Sequence, residues 1–555
     1  MASSSHQKGC AVQQPLLARA GCTAMGRPLS RIAGALLVSV TLLLRWPLTP
    51  RPTGSDSFEY FVQIASLRDA GAMVWLFHPA AYFGLYPGTS PSGHLALTAA
   101  FEETTGFGFE GSALLLSLAI SLLGVAGMWL LAGELGVSPA ARWLAALSFA
   151  VAPRFITFAL WRLSLRYLMV VVLPLFLWAL LRSQHRRYGR HPARLIALGL
   201  ALGLALPAVH RMGLLLPGFL LAFALAAALS RWQARALDRE RAARQGVAFC
   251  TGIGLYLAYL TYLGGTLYAP SEGLFSIYLF EGETLPVRFA NLAVHYGLLG
   301  GPLLLLALLG AGGTLQQGRP ALATWLALAW LALGAYVILD RIYLVYLLLV
   351  GMLLLVGPGA EMLLRELPSR RGRVALVAAL FVLSGVSAAV DLRDRIDHME
   401  RSETGYSYHV REPTIAAAFW GSAHADGELF EANDIKRTRR VDAYSGLIAT
   451  RDADGLAQGV IDPAAMELEY LGWRVLFTEQ NDHLWTWENR DEFNENISAD
   501  RSLSLVNLAF PEATGSASIP ESIISSTHYR WIDWFCYRVY ADDELAFYWS
   551  YGYAV

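Results

Sequence analysis

Ser55-Asp56-Ser57-Phe58-Glu59-Tyr60 opens the polar stretch Arg51 to Gly111, which runs on through Tyr86-Pro87-Gly88 and is the first long polar segment after the first hydrophobic run. Pro52 and Gly54 break what precedes. From Ser57 the apolar residues Phe58, Phe61, Val62, Ala65 and Leu67 fall near helical spacing as far as Gly71. The spacing predicts a short amphipathic helix whose first turn carries Asp56 and Glu59, three apart and able to share a face. Two readings of that pair stay open. In one, Asp56 caps the first-turn amides and Glu59 reaches back, a capping box. In the other the carboxylates do chemistry, and the rest of the chain has to supply the partners.

The remainder is mostly membrane helix. With 555 residues, 55% hydrophobic and only 16% charged, and a mean hydropathy of +0.41, the chain has too little charge to cover a soluble globule. Apolar runs begin at Ile32–Leu44, Ser112–Ala132, Trp143–Ala152, Tyr167–Leu181 and Leu195–Val209. They continue at Met212–Leu229, Gly246–Leu263, Leu298–Ala311, Ala321–Leu339, Ile342–Val356 and Val374–Val390. The expected fold is a polytopic α-helical membrane protein of about eleven spans, several of them short enough to need flanking residues or a protein-lined cavity. Residues 1–30 form a polar tail expected inside, followed by an anchor that is retained. Residues 31–390 form the membrane part, with an outer loop at 51–111.

From Asp391 to Val555 the composition turns polar, which predicts a soluble α/β or α+β domain. Within it Gly427–Glu431 and Trp473–Phe477 read as strands, Ala464–Leu471 as a short helix, and Cys536–Tyr540 with Glu544–Tyr548 as a hairpin. Asn496-Ile497-Ser498 is a glycosylation sequon. A net charge of -1 and the absence of basic tracts interleaved with aromatics argue against nucleic acid. Cys10, Cys22, Cys250 and Cys536 are too scattered to predict a disulfide or a zinc site. No Gly-x-x-x-x-Gly-Lys-Ser/Thr loop and no His-Glu-x-x-His motif occurs, which argues against an ATP-driven transporter or a metalloprotease.

Charge bias gives the orientation. Arginines cluster at 182–194, 231–244 and 365–373, so an inside N-terminus places these loops inside and the C-terminal segment outside. Arg45, Arg154, Arg162, Arg166, Arg211 and Arg341 break the bias, since each falls at a predicted outer helix end. Singly, each is explained by snorkelling or by a pair such as Asp340-Arg341. Together they suggest an anionic ligand, and guanidinium forks suit a lipid phosphate.

At this point the chain resembles the C-type glycosyltransferases, which use polyprenyl-phosphate-linked sugars. The resemblance rests on Leu44-Arg45-Trp46-Pro47 followed by Asp56-Ser57-Phe58-Glu59-Tyr60, on Leu85-Tyr86-Pro87-Gly88, and on Asp340-Arg341 opening a late span. It is strongest to archaeal protein-mannosyltransferase and oligosaccharyltransferase members. It implies transfer of a sugar from a polyprenyl (dolichyl) phosphate to a protein, lipid or glycan acceptor, with Asp56 and Glu59 at the catalytic centre and Arg341, Arg162, Arg166 and Arg211 as donor-phosphate residues. Two departures stand out. Where oligosaccharyltransferase members carry a second acidic motif, this chain reads Trp161-Arg162-Leu163-Ser164-Leu165-Arg166. The Trp-Trp-Asp-Tyr-Gly motif is missing, Trp549-Ser550-Tyr551-Gly552 lacking the aspartate. A divalent metal cofactor is therefore unsupported by a second acidic motif, and a single-sugar transfer is favoured. A flippase or transporter of lipid-linked or anionic substrates, and a non-catalytic membrane scaffold, are the alternatives.

Overall fold

The structure, a computed structural model, describes residues 27–71, 93–183, 192–210, 300–316, 345–401 and 412–424, together with 410, 443–444 and the strand segments between 428 and 550. Helices α1 (Arg27–Leu43), α4 (Phe109–Gly133), α5 (Pro139–Val151), α7 (Leu165–Ser183) and α8 (Pro192–Val209) follow the apolar runs read from the sequence. Between them lie α2 (Ser55–Ala70), α3 (Gly93–Thr105) and α6 (Pro153–Ala159). Later come α9 (Leu304–Gln316), α10 (Val345–Glu366), α11 (Arg370–Arg401) and α12 (Glu412–His424). Among the described residues, α4, α7 and residues Arg370–Val390 are long and apolar enough to cross a membrane, while Ser30–Leu43, Pro139–Val151 and Ala193–Leu206 are shorter apolar helices. The runs at Met212–Leu229, Gly246–Leu263 and Ala321–Leu339 lie outside the described residues.

Lipid removes most of the hydrophobic drive for one apolar helix to leave the tails for another, so close backbone approach decides the packing. α9 and α10 cross where a side chain at Gly310 would fall on the Leu355 carbonyl and one at Gly359 on the Leu306 carbonyl. α4, α5, α7 and α10 supply most of the main apolar core, with Met128, Phe149, Met169, Leu173 and Leu353 fully buried. Polar contacts fix the helix ends. Beyond α4, Glu134 receives Arg182 from the end of α7 at 3.0 Å. The Ser138 amide, at the N-cap of α5, donates to Glu361 near the end of α10 at 2.9 Å. At the opposite end, Arg45 beyond α1 reaches the Ala150 carbonyl in the last turn of α5 and the Tyr167 hydroxyl in the first turn of α7.

α11 continues past Val390, where the sequence places the end of the membrane part, to Arg401. Asp391 and Arg395, and Asp397 and Arg401, fall at the i, i+4 spacing that supports helix, and neither glycine nor proline interrupts. The C-terminal strands form one mixed sheet in the order β2-β3-β4-β1-β5-β7-β6. β1 (Glu428–Ala432) runs parallel to β4 (Trp473–Val475) and to β5 (Ser502–Asn507). β6 (Cys536–Ala541) and β7 (Leu545–Ser550) pair antiparallel, as the hairpin reading expects. Of the helix expected at Ala464–Leu471, the described residues are corrected: Glu469–Tyr470 is strand β3, antiparallel to β4 and to β2 (Ala449–Thr450), and the other positions lie outside the described residues. Pairing with two neighbouring strands overrides a weak local preference here.

Candidate active site

The first turn of α2 is set by contacts far away in sequence. Gly54 is its N-cap, with φ 85° and ψ 125° and no side-chain cap. The capping-box reading of Asp56 and Glu59 is therefore corrected: Asp56 lies inside the first helical turn. Long-range bonds anchor the turn in place of a side-chain cap. The Thr53 amide donates to the Trp161 carbonyl at 2.9 Å and the Thr53 hydroxyl to the Leu160 carbonyl at 2.7 Å. The Leu163 amide donates to Ser57 Oγ at 3.1 Å, and the Ser57 hydroxyl lies 2.8 Å from the Thr53 carbonyl.

The amphipathic expectation for this helix is also corrected. Phe61, Val62, Gln63 and Ile64 are buried in succession, with Ser57, Phe58 and Ser66 buried as well, so the buried residues of the middle of the helix are not confined to one stripe. The side chains of Asp56 and Glu59 lie outside the described atoms. Their place in the first turn is one where the positive end of the helix dipole favours a carboxylate.

The segment packed against this turn carries Arg162. Between α6 and α7 the chain turns at Trp161, whose φ of 43° is unusual for a non-glycine residue. The Trp161 indole donates to the Glu110 carbonyl at 2.8 Å, and the Ser117 hydroxyl donates to the Arg162 carbonyl at 3.0 Å. Arg162 then lies along the Gly54 backbone so closely that a Cβ at Gly54 would sit 2.5 Å from its Nε and 2.8 Å from its Cδ. The structure thus brings Arg162 to the turn that carries Asp56. Arg166 is the second residue of α7 and half-buried. Arg211 and Arg341 lie outside the described residues, as does Tyr86-Pro87-Gly88.

Four residues outside the predicted site set border this region. Arg45, marked in the sequence by charge bias and by the resemblance, is 0% exposed. Its Nη1 donates to the Ala150 carbonyl at 2.9 Å and the Thr41 carbonyl at 3.4 Å, and its Nε to Tyr167 at 3.3 Å. Tyr167 in turn donates to Ser121 at 3.0 Å. His94, in the first turn of α3, is 3% exposed, and neither ring nitrogen makes a hydrogen bond among the described residues. Burial pushes its pKa down to about 4, opposed only by the nearby Ser164 backbone, so the ring is neutral.

Glu110 and Tyr444 complete the set. The Glu110 carboxylate accepts from Arg51 Nη1 at 3.3 Å and from the Tyr444 hydroxyl. Burial first, and then the bond to Glu110, raise the Tyr444 pKa, so the phenol keeps its proton. Arg51 also donates to Glu412 at 3.0 Å, a bond that raises its own pKa. Nothing in the local pattern of Ala443-Tyr444 marks it, because its partner is more than three hundred residues away.

Among the described residues no group of three or more His, Cys, Asp or Glu side chains stands where it could hold a metal ion.

No family model matches the chain, and no curated protein matches it in sequence. Solved structures do. The Archaeoglobus fulgidus oligosaccharyltransferase in its apo form aligns with a TM-score of 0.57 at 12% identity, over 87% of this chain and 70% of that one. ArnT from Cupriavidus metallidurans bound to undecaprenyl phosphate aligns with a TM-score of 0.57 at 13% identity, over 94% of this chain and 98% of that one. The archaeal oligosaccharyltransferase AglB from Archaeoglobus fulgidus, in complex with an inhibitory peptide and a dolichol-phosphate, aligns with a TM-score of 0.56 at 11% identity, over 86% and 69%. These alignments cover 86–94% of this chain, and the chain shares the fold of these solved structures, a C-type-glycosyltransferase-like fold of the kind that the sequence resemblance implies.

Proposed function

We propose that this chain transfers a sugar from a polyprenyl-phosphate donor to a protein, lipid or glycan acceptor at the outer face of a membrane. The observation that carries the reading is the seating of Arg162 on Gly54, two residues before Asp56. A carboxylate-bearing turn and a cation meet at one end of a helical fold whose solved neighbours include proteins bound to undecaprenyl phosphate and to a dolichol-phosphate.

The chemistry needs little more. A glycosyl phosphate already carries a good leaving group. The acceptor oxygen attacks the anomeric carbon, the carbon–oxygen bond to phosphate breaks, and the bonding pair leaves with the polyprenyl phosphate. Asp56 takes the acceptor proton, a role worth about 10²–10⁴-fold in such reactions. Arg162, with Arg166, Arg211 and Arg341 as further donor-phosphate residues, steadies the charge on the departing phosphate. Glu59, one turn along the helix, supports Asp56. The guanidinium supplies the positive charge at the leaving group, so the scheme uses no metal.

Asp56→Asn tests it. Because the helix is capped by the Gly54 backbone and by long-range bonds to Thr53 and Ser57, asparagine should leave the fold intact while removing the proton acceptor. The expected result is loss of about 10²-fold or more in transfer from a labelled polyprenyl-phosphate sugar, with thermal unfolding unchanged. Near-normal transfer would remove the carboxylate from the mechanism.

A further inference from the structure

Glu110 joins two parts of the chain that the sequence reads as separate units. Its backbone carbonyl holds the Trp161 indole at 2.8 Å, and its carboxylate receives Tyr444 from beyond β1. Arg51 extends the link by bridging Glu110 and Glu412, the first residue of α12. The apolar contacts follow the same route. The Tyr444 ring lies 5.5 Å from Phe109 and 6.3 Å from Phe58, Phe109 lies 4.4 Å from Phe61, and Val410 and Ile415 are buried in the same cluster as Phe58 and Leu163. Val410, Ile415 and Tyr444 therefore pack on the helix and loop that carry Asp56 and Arg162.

Trp161 is where this contact has leverage. With φ at 43° it occupies a conformation that costs free energy and persists only where surroundings hold it. Three bonds hold it among the described residues: the indole to the Glu110 carbonyl, the Thr53 amide to the Trp161 carbonyl, and the Trp161 amide to the Ala159 carbonyl. Arg162 follows directly, and its backbone direction depends on this turn.

We propose that Glu110 and Tyr444 are positioning residues, through which docking of the segment beyond α11 sets the Trp161-Arg162 turn. The functional consequence rests on the transferase reading, with Arg162 on the donor phosphate. The structural statement stands apart from it. Loss of the Tyr444 hydroxyl leaves the Glu110 carboxylate with Arg51 as its partner among the described residues, lets the first turn of α4 relax, and frees the Trp161 turn. Arg162 then samples other positions, and donor affinity falls while the chemical step, once donor is bound, changes less.

The test uses the full chain in nanodiscs. Tyr444→Phe keeps the ring in its aromatic cluster and removes only the hydroxyl, and Trp161→Phe removes only the indole donor at the other side of Glu110. Amide hydrogen exchange of residues 159–166 is the primary readout. Both variants should raise it about tenfold over wild type, the scale set by losing one hydrogen bond to a charged or strained partner, while exchange in α4 beyond its first turn and in α7 is unchanged. Donor KM for the labelled polyprenyl-phosphate sugar should rise about tenfold in Tyr444→Phe with kcat within about threefold, and Tyr444→Phe should add nothing to the loss already caused by Arg162→Gln. Unchanged exchange at 159–166 in Tyr444→Phe overturns the proposal, and so does a uniform rise throughout the protein, which marks general destabilisation. Should the wild-type chain show no transfer, the function reading fails, while the exchange result still decides whether Tyr444 positions the turn.

Discussion

A single methyl group at Gly54 probes the candidate site more sharply than removal of a charge. Gly54 has φ 85° and ψ 125°, a conformation that side-chain-bearing residues rarely adopt, so alanine there should cost about 1–3 kcal/mol of stability from the backbone alone. The methyl would also meet Arg162 at Nε, Cδ and Cζ, at 2.5, 2.8 and 2.9 Å. These atoms sit at the base of the guanidinium rather than at its tip, so the side chain cannot clear the methyl by swinging its end. The Arg162 backbone is held by Ser117 and its neighbour Leu163 by Ser57, so the side chain itself has to leave.

Gly71 supplies the control. It caps the C-terminus of the same helix with φ 63° and has open space where a Cβ would go, so Gly71→Ala carries a backbone penalty of about 1–2 kcal/mol and no clash. Both variants should lower the apparent melting temperature in detergent. Only Gly54→Ala should lose transfer from a labelled polyprenyl-phosphate sugar, by about tenfold or more beyond Gly71→Ala, equivalent to about 1.4 kcal/mol in the transition state. Equal transfer in the two would refute the assignment of Arg162 to the site.

His94 gives a pH dependence. Its folded pKa of about 4 lies below the ordinary 6.5, so between those values the unfolded chain binds a proton that the folded chain does not. Stability should therefore rise with pH through this window and be lost as pH falls from 6.5 toward 4, by about 3 kcal/mol in all; His94→Leu should flatten this part of a melting-temperature profile, and parallel wild-type and variant profiles would contradict the assignment. At the α9–α10 crossing, Gly310→Ala places a methyl on the Leu355 carbonyl and should destabilise by about 1–3 kcal/mol, whereas Gly312→Ala, with nothing nearby, should be neutral or slightly stabilising in the same unfolding measurement.

What the sequence makes legible is local. The runs Ser112–Ala132, Trp143–Ala152, Tyr167–Leu181 and Leu195–Val209 locate α4, α5, α7 and α8 because a membrane helix needs an unbroken apolar stretch and tolerates little else. The start of α2 is not legible in the same way. Asp56 and Glu59 have the spacing of a capping box, but Thr53 and Ser57 find partners at Leu160, Trp161 and Leu163, and those bonds place the N-cap at Gly54. α3 is missing from the sequence reading for a related reason. His94, Leu95, Thr98, Ala99 and Glu102 are its buried residues, a set too mixed in polarity for periodicity to detect. Tyr444 carries no sequence signal at all, since only the folded chain brings it to Glu110.

The cations that break the charge bias look alike in sequence, and the structure separates them by what compensates each charge. Arg45 is wholly enclosed, and its guanidinium lies against the Thr41 and Ala150 carbonyls in the last turns of α1 and α5, where the helix dipoles present partial negative charge. A positive charge there joins helix ends through Nε and Nη1, while Nη2 is buried without a hydrogen-bond partner among the described residues. Arg154 lies over the face of Phe158, 4.8 Å from the ring centroid, where an aromatic quadrupole offsets part of its charge. Arg162 is different in kind. It runs along the bare backbone of Gly54 at the positive end of α2, a place where the helix dipole repels a cation. A guanidinium held at that position favours negative charge close by, and in the proposed function that charge is the donor phosphate. Its seating against the N-terminus of α2, where backbone amides also favour an anion, is what suits Arg162 to the role proposed for it.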